Sequence, residues 1–127
     1  MDIDVSHEMP VEGVAVVRTV GELDVYTTPK WRGHLLGLVR GEGGPRHVGL
    51  DFSAVDHFDS TAIGCLVLCW REHRDAGGAD PGVFALFSVT DRTGEIMRIT
   101  GLERVVTVAG SLEEFLDLVR AAESGSS

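Results

Sequence analysis

Residues 47–64, HVGLDFSAVDHFDSTAIG, pass from a strand pattern into a helix pattern, and the rest of the chain is arranged around that change. His47 to Phe52 is apolar and β-branched enough for a buried strand. Ser53 to Phe58 alternates small, apolar and acidic residues, as a surface crossing would. Asp59, Ser60 and Thr61 then open an apolar periodic run from Ala62 to Trp70. All three residue types favour the helix N-cap, because their side-chain oxygens accept from backbone N–H groups that lack a partner in the first turn. The pattern therefore predicts a hydroxyl at the positive end of a helix, beside carboxylates, on the surface. Free N–H groups and the helix dipole both favour an anion there, so a phosphate would be tolerated.

Upstream, Val14 to Val20 (VAVVRTV) reads as a strand with Arg18 facing solvent. Ile3 and Val5 alternate with Asp2 and Asp4, so residues 1–9 form an arm or an edge strand. Gly21 to Asp24 continues the Val14 strand and brings Asp24 out at the sheet edge. Thr27-Thr28-Pro29 marks a helix start, with Pro29 in the first turn where its missing N–H costs nothing. That helix runs to about Arg40 on an apolar side of Trp31, Leu35, Leu38 and Val39, and GEGGP at 41–45 ends it.

In the helix after Asp59, which continues to about Asp75, the 3.6-residue period gathers Ala62, Ile63, Leu66, Val67, Cys69, Trp70 and His73 on one side. Gly64, Arg71, Glu72 and Asp75 gather on the other. Leu68 falls on that polar side, two turns beyond Ser60, where a contact role and an ordinary exposed leucine weigh equally. Downstream, a strand at Gly82 to Ser88 is followed by a helix capped at Thr90 or Asp91 and stopped by Gly101. A short strand at Val105 to Val108 precedes a last helix, capped by Ser111 with Glu114 closing a capping box. Glu123 to Ser127 reads as a frayed tail. Strands alternating with helices predict an α/β layer structure in a single domain.

The 127 residues carry a formal charge of −9, from 11 basic and 20 acidic side chains. Binding to nucleic acid or an anionic membrane needs clustered Lys and Arg, so both are excluded as partners, and a protein with a basic patch fits better. The acidic N-terminus has no long apolar run and no stretch approaches a membrane span, so a cytoplasmic location is expected. Cys65, Cys69 and His73 stand at i, i+4 and i+8 on an apolar helix. Zinc sites draw their ligands from turns, so these three are read as packing residues and no metal or cofactor is expected.

Three segments, GELDVYTTP at 21–29, LDFSAVDHFDSTAIG at 50–64 and ITGLERVVTV at 99–108, resemble the STAS domain of anti-sigma factor antagonists, in the same order and across nearly the whole chain. The family's Asp-Ser-Ser/Thr-Gly-Leu-Gly motif stands here as Asp59-Ser60-Thr61-Ala62-Ile63-Gly64. The resemblance implies a mostly parallel β-sheet with an antiparallel N-terminal contribution, flanked by about four helices, over residues 10–122. It implies that Ser60 is a phosphorylation site and that Asp24 lies close to it. The unmodified protein would bind a kinase-type anti-sigma factor and release the sigma factor. A serine kinase acting on Ser60 would switch binding off, and a phosphatase would restore it. Asp24, Asp59, Thr61, Gly64 and Leu68 are the residues expected at the partner surface. Ala62 departs from the motif's glycine, and its methyl would hinder close approach of a partner backbone.

The same residues admit other readings. A plain N-cap role for Ser60 leaves a STAS scaffold or ligand-sensing module. A receiver domain would place a phosphoacceptor at Asp51, at the end of the central strand, but it needs a lysine after a late strand, and Lys30 is the only lysine. A hydrolase using Ser60 and His57 lacks the G-x-S-x-G elbow and an orienting third group. The chain is therefore expected not to be an enzyme.

Overall fold

The computed structural model describes residues 2–40 and 43–125. Among these described residues, five strands form one sheet in the order β1-β2-β3-β4-β5. They are β1 (Asp4–Val11), β2 (Val14–Leu23), β3 (His47–Phe58), β4 (Phe84–Phe87) and β5 (Thr107–Ala109). The helices are α1 (Thr28–Arg40), α2 (Ser60–Ala76), α3 (Asp91–Thr100) and α4 (Leu112–Gly125). β1 folds back antiparallel on β2, and every later pairing is parallel. Glu12-Gly13 makes the β1–β2 turn, with Gly13 in the left-handed region at φ +79°. This is the mixed sheet with four helices that the STAS resemblance implies, with an edge strand near the N-terminus.

Two apolar clusters sandwich the sheet. The larger joins α1, α2 and α3 to it through Trp31, Leu35, Phe52, Phe58, Leu66 and Met97. The smaller packs Phe115 and Val119 of α4 on Val14, Ala85, Phe87 and Ala109. Successive side chains of a strand point to opposite faces, and β3 shows why a glycine belongs in it. Val48 and Leu50 enter the larger cluster, while a Cβ on Gly49 would stand 2.6 Å from the Phe115 ring.

Four expectations change. Ser53 to Phe58 is not a crossing but the second half of β3, paired in parallel with Val20 to Leu23. β4 ends at Phe87, opposite Asp51, so this half of β3 has a strand on one side only and its outward residues look polar. Asp51 therefore lies within β3, paired with Arg18 at 3.2 Å, rather than at its end. The last strand starts at Thr107, because Leu102–Arg104 form one turn of 3-10 helix and Val106 is buried behind it. α4 runs through Glu123 to Gly125 in place of the expected tail, because the Glu123 carboxylate is held by Arg46 at 2.7 Å and His47 at 2.5 Å. Gly41 and Glu42 of the predicted loop, and Ser126 and Ser127, lie outside the described residues.

Candidate functional site

The site is built where β2 and β3 end together. Leu23 is the register partner of Phe58, so the next residue on each strand, Asp24 and Asp59, emerge side by side. The Asp59 N–H donates to the Leu23 carbonyl at 3.3 Å and ties the two exits. In sheets of this kind the carboxyl ends of parallel strands are where function collects.

Asp59 is the N-cap of α2, in extended conformation. Its Oδ1 accepts from the N–H groups of Thr61 at 3.0 Å and Ala62 at 3.2 Å. Ser60 is the first helical residue and is exposed. Its hydroxyl therefore stands at the helix end with solvent around it, as the sequence predicts. One part of that prediction changes: the N–H groups of Thr61 and Ala62 are not free for an anion, because Asp59 already accepts from both.

Asp24 is fixed by its own turn. Its Oδ1 accepts from the Tyr26 N–H at 2.8 Å, the Thr27 N–H at 3.0 Å and the Thr27 hydroxyl at 3.2 Å. The Thr27 hydroxyl also bonds the Glu22 carbonyl at 2.6 Å. The Thr27 and Tyr26 N–H bonds hold the Asp24 carboxyl below its ordinary range. Asp24 thus shapes the loop between β2 and α1 and keeps a negative charge near Ser60. That loop presents Val25 and Tyr26 to solvent, Tyr26 at 85% exposure.

Thr61, Gly64 and Leu68 come together as one wall of a groove between α1 and α2. Thr28, Pro29 and Arg32 form the other wall, with Cys65 between. Thr61 and Gly64 are exposed and Leu68 is half-buried, so Leu68 is a groove residue rather than an isolated surface leucine. No side chain fills the space at Gly64: a Cβ there would meet nothing within 4 Å. Ala62 is fully buried in the core, so its methyl points away from any docked partner and the expected hindrance does not arise. Thr28 and Arg32 escaped the sequence reading. The signal that finds them is their i, i+4 spacing on the first turns of α1, which puts both on one face.

The remaining candidates are placed elsewhere or held otherwise. Cys65 and Cys69 are buried free thiols. The hydrogen bond with Cys65 and burial both push the Cys69 thiol up. The His73 Nε2 bonds the Arg46 carbonyl at 2.7 Å. His57 and Ser60 share no hydrogen bond among the described residues. Also among the described residues, no helix is long and apolar enough to cross a membrane.

The family model of the STAS domain matches residues 10–115. The chain is 32% identical over 92 residues to the anti-sigma-B factor antagonist of Staphylococcus aureus strain NCTC 8325 / PS 47, covering 72% of this chain and 80% of that one. An anti-sigma factor antagonist from Mycobacterium paratuberculosis superposes with a TM-score of 0.80 at 25% identity, over 93% of this chain and 94% of the other. The phosphorylated form of the Bacillus cell fate determinant SpoIIAA shares the fold, with a TM-score of 0.66 at 21% identity, over 90% of this chain and 97% of that one. The chain belongs to the STAS domain family.

Proposed function

We propose that this chain is an anti-sigma factor antagonist, not an enzyme, and that it is switched by phosphorylation of Ser60. The unmodified chain docks on a kinase-type anti-sigma factor in the cytoplasm and so frees a sigma factor. The kinase moves the γ-phosphoryl group of ATP to Ser60 Oγ; ADP leaves and the hydroxyl loses its proton. The modified chain then lets go, and a phosphatase returns it to the binding form. ATP and Mg²⁺ belong to the kinase.

The observation that carries this reading is the exposed Ser60 hydroxyl at the first position of α2, next to an open groove. Phosphorylation adds about −1.5 to −2 charges at neutral pH. Because Ser60 is exposed, that charge is met by solvent rather than by the core, and the fold survives. A docked partner meets it directly. Asp24 and Asp59 stand beside the site, so the added charge deepens a negative field and repels acidic groups on the partner.

The test isolates the anti-sigma partner by co-purification with the chain from its native cell and measures its affinity for two variants. Ser60→Ala is expected to bind like the unmodified chain and Ser60→Asp at least tenfold more weakly. Equal affinities would leave Ser60 as an exposed first-turn residue with no switching role, and the chain as a STAS scaffold.

A further inference from the structure

The groove beside Ser60 holds one cation. Arg32 lines it, is exposed, and makes no ion pair among the described residues. By contrast, Arg18, Arg40 and Arg46 are each paired with a carboxylate. One helical turn before Arg32, Thr28 lines the same groove; it is 3% exposed and its hydroxyl has no hydrogen-bond partner among the described residues. A buried polar atom without a partner is uncommon in a folded protein; Thr28 shares that state with Thr19 and Trp31 and is the one of the three that lines the groove.

We infer that Arg32 and Thr28 form a receptor for the phosphoryl group of phosphorylated Ser60, so that the modified chain fills the groove its unmodified form offers to a partner. This rests on Ser60 as the modified residue. Three features favour the assignment. The end of α2 is a poor seat for the phosphate, because Asp59 already accepts from the N–H groups of Thr61 and Ala62. The carboxylates of Asp24 and Asp59 also repel the new charge from that end. Ser60 and Gly64 are one turn apart on the same face of α2, about 6 Å along the axis. Gly64 has no side chain and nothing within 4 Å of where one would stand, so the way from Ser60 into the groove is open. A guanidinium pairs a phosphate through two parallel N–H bonds, and Arg32 is the group in the groove able to do so.

The device gives phosphorylation a second effect. Repulsion at the rim acts on the partner's acidic groups. Occupation of the groove removes the surface made by Thr61, Gly64 and Leu68, whatever the partner's charge.

The experiment installs phosphoserine at position 60 during translation, so no kinase is needed, and follows its second ionisation by 31P NMR. Free phosphoserine titrates near pH 6. In the native background the midpoint is expected about half to one pH unit below that of Arg32→Gln, with Arg32→Lys in between. Arg32 is exposed, so these variants keep the fold, and thermal melting of each confirms it. Identical midpoints in the native and Arg32→Gln proteins would overturn the receptor. They would leave the switch at Ser60 standing, since it is judged separately by the Ser60→Ala and Ser60→Asp affinities. Failure of any kinase to modify Ser60 would remove the switch without altering this titration.

Discussion

The two ends of the sheet use polar side chains in opposite ways. At the end where β2 and β3 exit toward the helices, the bonds of the polar side chains are local: Asp24 to Tyr26 and Thr27, Asp59 to Thr61 and Ala62. At the far end, where β3 and β4 begin, polar side chains are buried or paired over long sequence distances. His47 accepts from the Val83 N–H at Nδ1 and bonds Glu123 through Nε2, so the proton sits on Nε2. Arg46 pairs with both Asp80 and Glu123, and its carbonyl takes the His73 ring. The far end locks α4 and α2 to the sheet. The near end asks little of the fold, and a group can be added there without unfolding it.

The largest effect that separates the ends comes from glycine to alanine substitutions, which add the same methyl in two settings. At Gly82 the new Cβ would lie 2.0 Å from the Arg46 carbonyl oxygen. Gly82→Ala is therefore expected to lose about 3 kcal/mol of stability in urea unfolding. At Gly64 nothing stands within 4 Å, so Gly64→Ala is expected to gain up to about 1 kcal/mol from helix propensity. Comparable losses at both positions would break the contrast.

Acid should reach the two ends in different windows. Burial holds the His73 pKa below its ordinary value near 6.5, with the neighbouring His47 adding to the shift and the Arg46 carbonyl opposing it. The unfolded chain then binds the extra proton first, so stability from this group is present above pH 6.5 and falls as pH drops below it. The Asp24 carboxyl is also held low, so its contribution is kept until the pH falls below the ordinary carboxylate range. Unfolding free energy measured from pH 7.5 to 5 should therefore decline, and His73→Gln should flatten that decline. An unchanged slope in the variant would remove His73 as the source.

A smaller effect is expected from the near end itself. Asp59→Ala removes the cap of α2 and should cost about 1 kcal/mol. Its mark should be faster amide exchange in the first turn of α2, with the far end unchanged. Loss of protection at Val83 as well would mean the two ends are coupled.

The divide between the ends also governs what the sequence made legible. Short-range features were readable: the helix start within Asp59-Ser60-Thr61, Pro29 in the first turn of α1, the periodicity of α2 and the strand at Phe84 each follow from neighbouring residues, although the cap is Asp59 and not Ser60. Features set by distant partners were not. The second half of β3 looks like a crossing until β2 is laid beside it, since only one strand flanks it. Glu123 looks like tail until Arg46 and His47 are brought under it from 76 or more positions away. The groove fell between these cases. Its α2 wall was readable from the period of one helix, whereas Thr28 and Arg32 needed two helices to be set side by side. Asp24 shows a local signal passed over: an Asp followed three residues later by Thr forms a side-chain-capped turn, so it shapes its loop as well as charging the site.

The most direct test of the account measures stability and binding on the same sample, before and after phosphate is placed on Ser60. Affinity for the kinase-type anti-sigma factor should fall at least a hundredfold, while the melting temperature moves by no more than about 2 °C. Unchanged affinity, or a loss of affinity matched by a large drop in melting temperature, would contradict a switch that acts at a surface the fold does not depend on.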